Sequence, residues 1–151
     1  MSNISVIYDK LREIIPTIVT GRVELVNPYD IVNNPRPFLQ SGWGLVIGEG
    51  SPSEIDIMCR DYESRIFTIV LTDNLITLGN THEAMSVASK AMIENIRLLK
   101  DRLIEFDQLG IDSNIEQIRF VSSSGIEFLN SEEVSYLISS ITVLVDFSEI
   151  I

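Results

Sequence analysis

The sequence has little of what chemistry at a protein surface requires. Its 151 residues include one cysteine, Cys59, and one histidine, His82. A lone cysteine excludes an intrachain disulfide and suits a reducing compartment. A structural zinc site takes four ligands, mostly cysteine and histidine, and this inventory is too small for one. Nucleophilic catalysis needs a nucleophile, a base and an orienting group within reach of one another. His82 falls in the first turn of an expected helix, where a solvated surface residue is the plain reading, and Cys59 reads as an ordinary thiol in or beside a strand. No catalytic residue, cofactor site or metal site is expected.

Positive charge is also scarce. Eleven lysines and arginines stand against 22 aspartates and glutamates, a net of −11. The imbalance is uneven: residues 1–100 carry a net of −3, whereas residues 101–151 hold only Arg102 and Arg119 against ten acids. Binding to DNA or RNA needs a basic footprint that neutralises phosphates, so no sequence-specific nucleic-acid partner is expected. An anionic membrane surface is excluded on the same ground. Apolar runs such as Ile66–Leu71 are a few residues long, far short of the ~20 that cross a bilayer. Met1-Ser2-Asn3-Ile4 has no basic segment leading into an apolar one, so no signal peptide is expected and the chain should stay in the cytoplasm where it is made.

Phosphate-binding loops are missing as well. Gly42-Trp43-Gly44 with Gly48 superficially suggests a dinucleotide loop. Its third glycine comes one position late, and Ser51-Pro52-Ser53 follows where a helix should open. The carboxylate pairs Glu54/Asp56, Asp61/Glu63 and Glu132/Glu133 lack the spacing of a calcium loop. In so acidic a chain they read as a solvated face, although glycosidase-type chemistry on paired carboxylates remains a formal alternative.

What is present is a good core. The length fits one domain over 1–151, and hydrophobic residues make up 45% of it. Ile4, Ile7, Leu11, Ile14, Ile15 and Ile18 follow helical spacing over 3–15, and Pro16 predicts an end near Ile15. Residues 22–26 predict a short strand. Residues 65–72 predict a central strand, with Phe67, Ile69 and Leu71 on one face and Ile66, Thr68 and Val70 on the other. A long helix is expected over 81–106, opened by a capping box of Asn80 and Glu83 and stopped by Gly110. Its stripe is Met85, Ala88, Met92, Ile96, Leu99 and Leu103. Strands follow at 117–122, 125–129 and 136–147, the last with Ile141, Val143, Val145 and Phe147 on one face and Leu144 as the apolar exception on the other. The expected class is α+β: a mixed, mostly antiparallel sheet packed by an N-terminal helix and one long helix.

Residues 27–53 predict a long irregular loop, interrupted at most by a brief strand at Gly44–Ile47. The segment holds four of the five prolines and four of the eight glycines, yet it also carries Tyr29, Phe38 and Trp43. That is too apolar for disorder. Two readings stand side by side: the aromatics tuck back onto their own domain, or Tyr29, Phe38 and Trp43 lie against a neighbouring subunit, where aromatics bury much area at little entropic cost.

Asn27-Pro28-Tyr29 leading to Gly42-Trp43-Gly44-Leu45, the strand Arg65-Ile66-Phe67-Thr68-Ile69-Val70-Leu71, the long helix, and the closing Gly125-Ile126-Glu127-Phe128 with its final strand form a recognisable order. In that order, in size and in acidity the chain resembles the tail terminator (tail completion) proteins of long-tailed bacteriophages. The resemblance implies a structural protein without covalent chemistry that forms a hexameric ring of its own copies. Such a ring sits on the tail tube protein, stops tube growth and offers a surface to the head-completion protein, so the implied location is the virion tail, assembled in the host cytoplasm. Acidic side chains lining the channel of such a ring would keep DNA from sticking. The main alternative is an acidic dimeric chaperone or adaptor that binds an extended partner peptide.

Overall fold

The isoleucine-rich stripe near the start forms one face of helix α1, Asn3–Ile18, in a computed structural model that describes residues 3–25, 41–50, 54–55, 60–74, 82–105, 115–130 and 135–150. Ile7, Leu11, Ile15 and Val19 are fully buried, each contributing roughly 1.5–3 kcal/mol relative to exposure. The helix does not stop at Ile15, and Pro16 lies inside its last turn. A proline there removes a single backbone donor, and the stripe continues beyond it. The Val19 amide still donates to the Ile15 carbonyl at 3.0 Å, and the Thr17 hydroxyl donates to the Ile14 carbonyl at 2.6 Å. Gly21, at φ 78°, then turns the chain through a backbone region that side chains disfavour.

Strands β1 (Val23–Glu24), β2 (Gly42–Gly50), β3 (Glu54–Ile55) and β4 (Arg60–Asn74) follow, then helix α2 (His82–Glu105) and strands β5 (Ile115–Ser123), β6 (Glu127–Asn130) and β7 (Ser135–Ile150). The class is α+β, as expected. Within the segment 27–53, residues 42–50 are not loop but a nine-residue strand. Its glycines, which resemble turn signals, alternate with Trp43, Leu45 and Ile47 at the period of a strand. They place small residues on one face, and at Gly42 the smallness is required: a Cβ there would stand 2.8 Å from the Leu25 side chain. Tyr29, the rest of that segment up to Gln40, the capping pair partner Asn80, and Gly110 lie outside the described residues.

The described strands form one seven-stranded sheet in the order β1-β2-β4-β7-β5, with β3 also on β4 and β6 also on β7. Only β1 and β2 are parallel. β4 and β7 pair without a break from Arg60 opposite Ile150 to Asn74 opposite Tyr136. At ~3.4 Å per residue this seam is about 50 Å long. β2 and β3 line one side of β4 in succession, and β5 and β6 line the far side of β7 in the same way. The sheet is therefore two long hairpins joined at their inner strands, with α2 between them in sequence.

Both described helices cover one face. Phe67, Ile69 and Leu71 of β4, Leu137, Ile141, Val143, Val145 and Phe147 of β7 and Ile118 of β5 pack there with the stripes of α1 and α2. The opposite face holds a smaller buried group of Leu25, Val70, Tyr136 and Ile138. Farther along that face, Thr68 and Thr142 bring their hydroxyls to 3.3 Å, and Leu144 is half-buried beside them.

One buried ion pair ties the start of the chain to the sheet. Arg22 donates to the Thr72 carbonyl at 2.8 Å and stands 2.9 Å from the Asp73 carboxylate. Both side chains are nearly enclosed, 6% and 10% exposed. An arginine satisfies such a carboxylate with several fixed donors, and the Gly42 carbonyl, 3.4 Å away, joins Thr72 and Asp73 in compensating the loss of water.

Candidate assembly surface

Trp43 is 2% exposed and belongs to the core beneath the helices. Its own chain encloses it, beneath the helices, within the single subunit. The strand alternation that makes 42–50 a strand turns Trp43 inward with Leu45. Tyr29 and Phe38 lie outside the described residues. Of the carboxylates considered for chemistry, Glu63 is held by Arg65 at 2.5 Å, and Arg65 also donates to the Gly48 carbonyl at 3.2 Å. Among the described residues no three metal-ligating side chains come together, and no helix is long and apolar enough to cross a membrane.

The exposed apolar groups lie elsewhere. Residues 119–125, spanning the end of β5 and the link to β6, are all exposed, and among the described residues no strand pairs with the outer side of β5 or β6. Phe120, Val121 and Phe128 stand out along this edge, at 37%, 50% and 51% exposure. Val121 occupies an irregularity between Phe120 and Ser122, the kind of bulge that redirects a side chain. An outer strand with free amides and carbonyls is a template for another strand unless it is covered or charged.

At the other side of the sheet, β1 covers only Gly42 and Trp43 of β2. Beyond them Ile47, Glu49 and Gly50 are exposed. Ile47 is opposite Phe67, Phe67 opposite Val143, and Val143 opposite Phe120. This one row across the sheet is buried in its middle, while its two ends are open at 43% and 37%.

Charge beside the β5 edge is mixed, with Glu127 exposed on β6. Lys90, Ile93, Arg97 and Lys100 recur at steps of three and four, so they share one side of α2, with the exposed Glu94 and Asp101 beside them. The Lys100 ammonium sits 4.5 Å from the centre of the Phe120 ring, which places that side next to β5. Ion–ring contacts of this kind are worth roughly 0.5–1 kcal/mol at exposed sites. Nearer β7, Arg119 grips Asp146 through two bonds of 2.9 and 3.1 Å, and Ser64 also donates to that carboxylate. The β2 edge instead presents the exposed Glu49.

Among the described residues two titrating groups are shifted. Hydrogen bonding and attraction from Glu24 hold the Arg12 guanidinium above its ordinary value, across bonds of 2.7 and 3.1 Å. Burial pushes the Tyr136 phenol upward from 10.0.

The edge residues were not singled out by sequence. Phe120 and Val121 read as ordinary strand residues, because strand order, and hence which strand is outermost, is not written in the local pattern. Two adjacent large apolar residues, which cannot both face one core, were the available signal.

No protein-family model matches the chain, and no curated protein matches it. Among solved structures, the chain is similar to a chain from the virion of a native gene transfer agent particle, at 12% identity and a TM-score of 0.45, over 94% of this chain and 91% of that one.

Proposed function

We propose that this protein is a structural component without catalytic function that assembles with its own copies. In the specific form implied by its resemblance to phage tail terminators, it is the subunit of a hexameric ring that caps the tail tube protein, halts tube growth and presents a joining surface to the head-completion protein. It then resides in the virion tail after assembly in the host cytoplasm.

The observation that carries this reading is the open β5–β6 edge. Backbone groups on an outer strand bind another strand by the same bonds that hold the sheet, and Phe120, Val121 and Phe128 add apolar area that water does not favour. A surface of this kind supports a contact with another protein chain.

The test is the mass of the assembled protein together with particle images, for the protein alone and with tail tube protein. Six-membered rings that bind tube ends and stop their elongation are the expected result. A stable dimer that retains an extended peptide would replace this reading with the chaperone one, for which the same open edge would hold the peptide.

A further inference from the structure

We infer that the two outer edges of the sheet are complementary halves of a single contact: the β5–β6 edge of one copy takes the β2–β3 edge of the next copy, head to tail. The inference rests on the proposed self-assembly and specifies the surfaces that perform it.

Strand direction is the first argument. β2 is antiparallel to β4, β4 to β7, and β7 to β5. β5 therefore runs opposite to β2, and a second copy set beside the first, with its helices on the same side, offers β5 an antiparallel partner.

Level is the second. Ile47 and Phe120 end the same cross-strand row, so copies joined edge to edge without sliding bring these two half-exposed groups together. Each then covers the other, as cross-strand aromatic and β-branched neighbours do within a sheet.

Charge is the third. Level with Phe120 the edge at β5 presents Lys100, 4.5 Å from the centre of that ring, while the edge at β2 presents the exposed Glu49. Pairing β5 with β5 about a two-fold axis would bring Lys100 up against its counterpart. Pairing β5 with β2 sets it against acid. A contact between two different patches leaves one of each free on every pair, so it propagates, and it closes into a ring when the rotation per copy divides a full turn.

The experiment uses the full chain with Cys59→Ser, to which Ile47→Cys and Phe120→Cys are added singly and together, under mild oxidation. Both new positions are exposed, and far-UV circular dichroism checks that the fold is retained. The expected result is a ladder of covalent multimers with the double variant and none with either single variant. Covalent dimers from Phe120→Cys alone would overturn the head-to-tail contact in favour of a two-fold one. Rings without an Ile47–Phe120 cross-link would overturn the inference while leaving the proposed function standing, and a monomer at every concentration, both alone and with tail tube protein, would overturn both. A second measurement avoids cysteine: Glu49→Lys or Lys100→Glu alone should weaken association about tenfold, and the two together should restore it. Failure of the pair to restore what each removes would count against the contact.

Discussion

Arg22 and Asp73, 51 positions apart in sequence, meet in an ion pair that is almost sealed from solvent. Arg22 directly follows the Gly21 turn, so the pair fixes where α1 hands over to β1 and holds that junction on β4 beside the Thr72 carbonyl. Breaking one side strands a buried charge, which costs far more than the intact pair contributes.

Arg22→Ala and Asp73→Ala should each lower stability by about 3–5 kcal/mol. Urea unfolding checks this, and the expected signature is a lower midpoint with an unchanged slope. The double change to apolar residues of similar volume should recover much of the loss.

Trp43→Ala should destabilise the folded chain by about 3–5 kcal/mol through the cavity it opens under the helices. Thermal unfolding will report it. Phe128→Ala, at an exposed edge position, should leave stability within about 0.5 kcal/mol. Under the proposed assembly it lowers the yield of oligomer, so the two aromatic positions separate fold from association.

Gly42→Ala should cost about 1–3 kcal/mol, because the added methyl meets Leu25 at 2.8 Å and the strand cannot move without shifting its partners. Gly125→Ala meets nothing within 4 Å and serves as the control.

Stability should fall in alkali through Tyr136. Its folded-state pKa lies above its ordinary value of 10.0, so the unfolded chain releases its proton first. The contribution is fully present below pH 10.0 and is lost as pH rises through the folded value. Urea midpoints measured on either side of pH 10.0 should show this decline, and Tyr136→Phe should flatten the part that comes from this residue.

Most of the fold is legible in the sequence where local pattern and burial coincide. The stripes of α1 and α2 and the alternation of Ile141, Val143, Val145 and Phe147 announce their elements and their inward faces. Leu144, the apolar exception, is half-buried on the face opposite the described helices, as suits a strand that has partners on both sides. Local pattern misleads where one residue type serves two purposes. The glycines of β2 give close approach rather than a turn, and Pro16 costs only one bond so near the end of a helix. The assembly surface is less legible, because exposure at Phe120 depends on β5 being outermost, a property of strand order. Arg22 and Asp73 are likewise joined only by topology.

The seam between β4 and β7 also has a bearing on how the chain reaches its native state. Each hairpin closes over a short stretch of sequence, but the seam joins partners far apart, with Arg60 meeting Ile150 and Asn74 meeting Tyr136. Bringing such distant segments together requires loop closure before the contacts repay it, which slows folding. The two hairpins can take shape separately while their inner strands still lack each other. During that interval Phe67, Ile69 and Ile141 lack their native cover, and the chain is at its most prone to join the wrong neighbour.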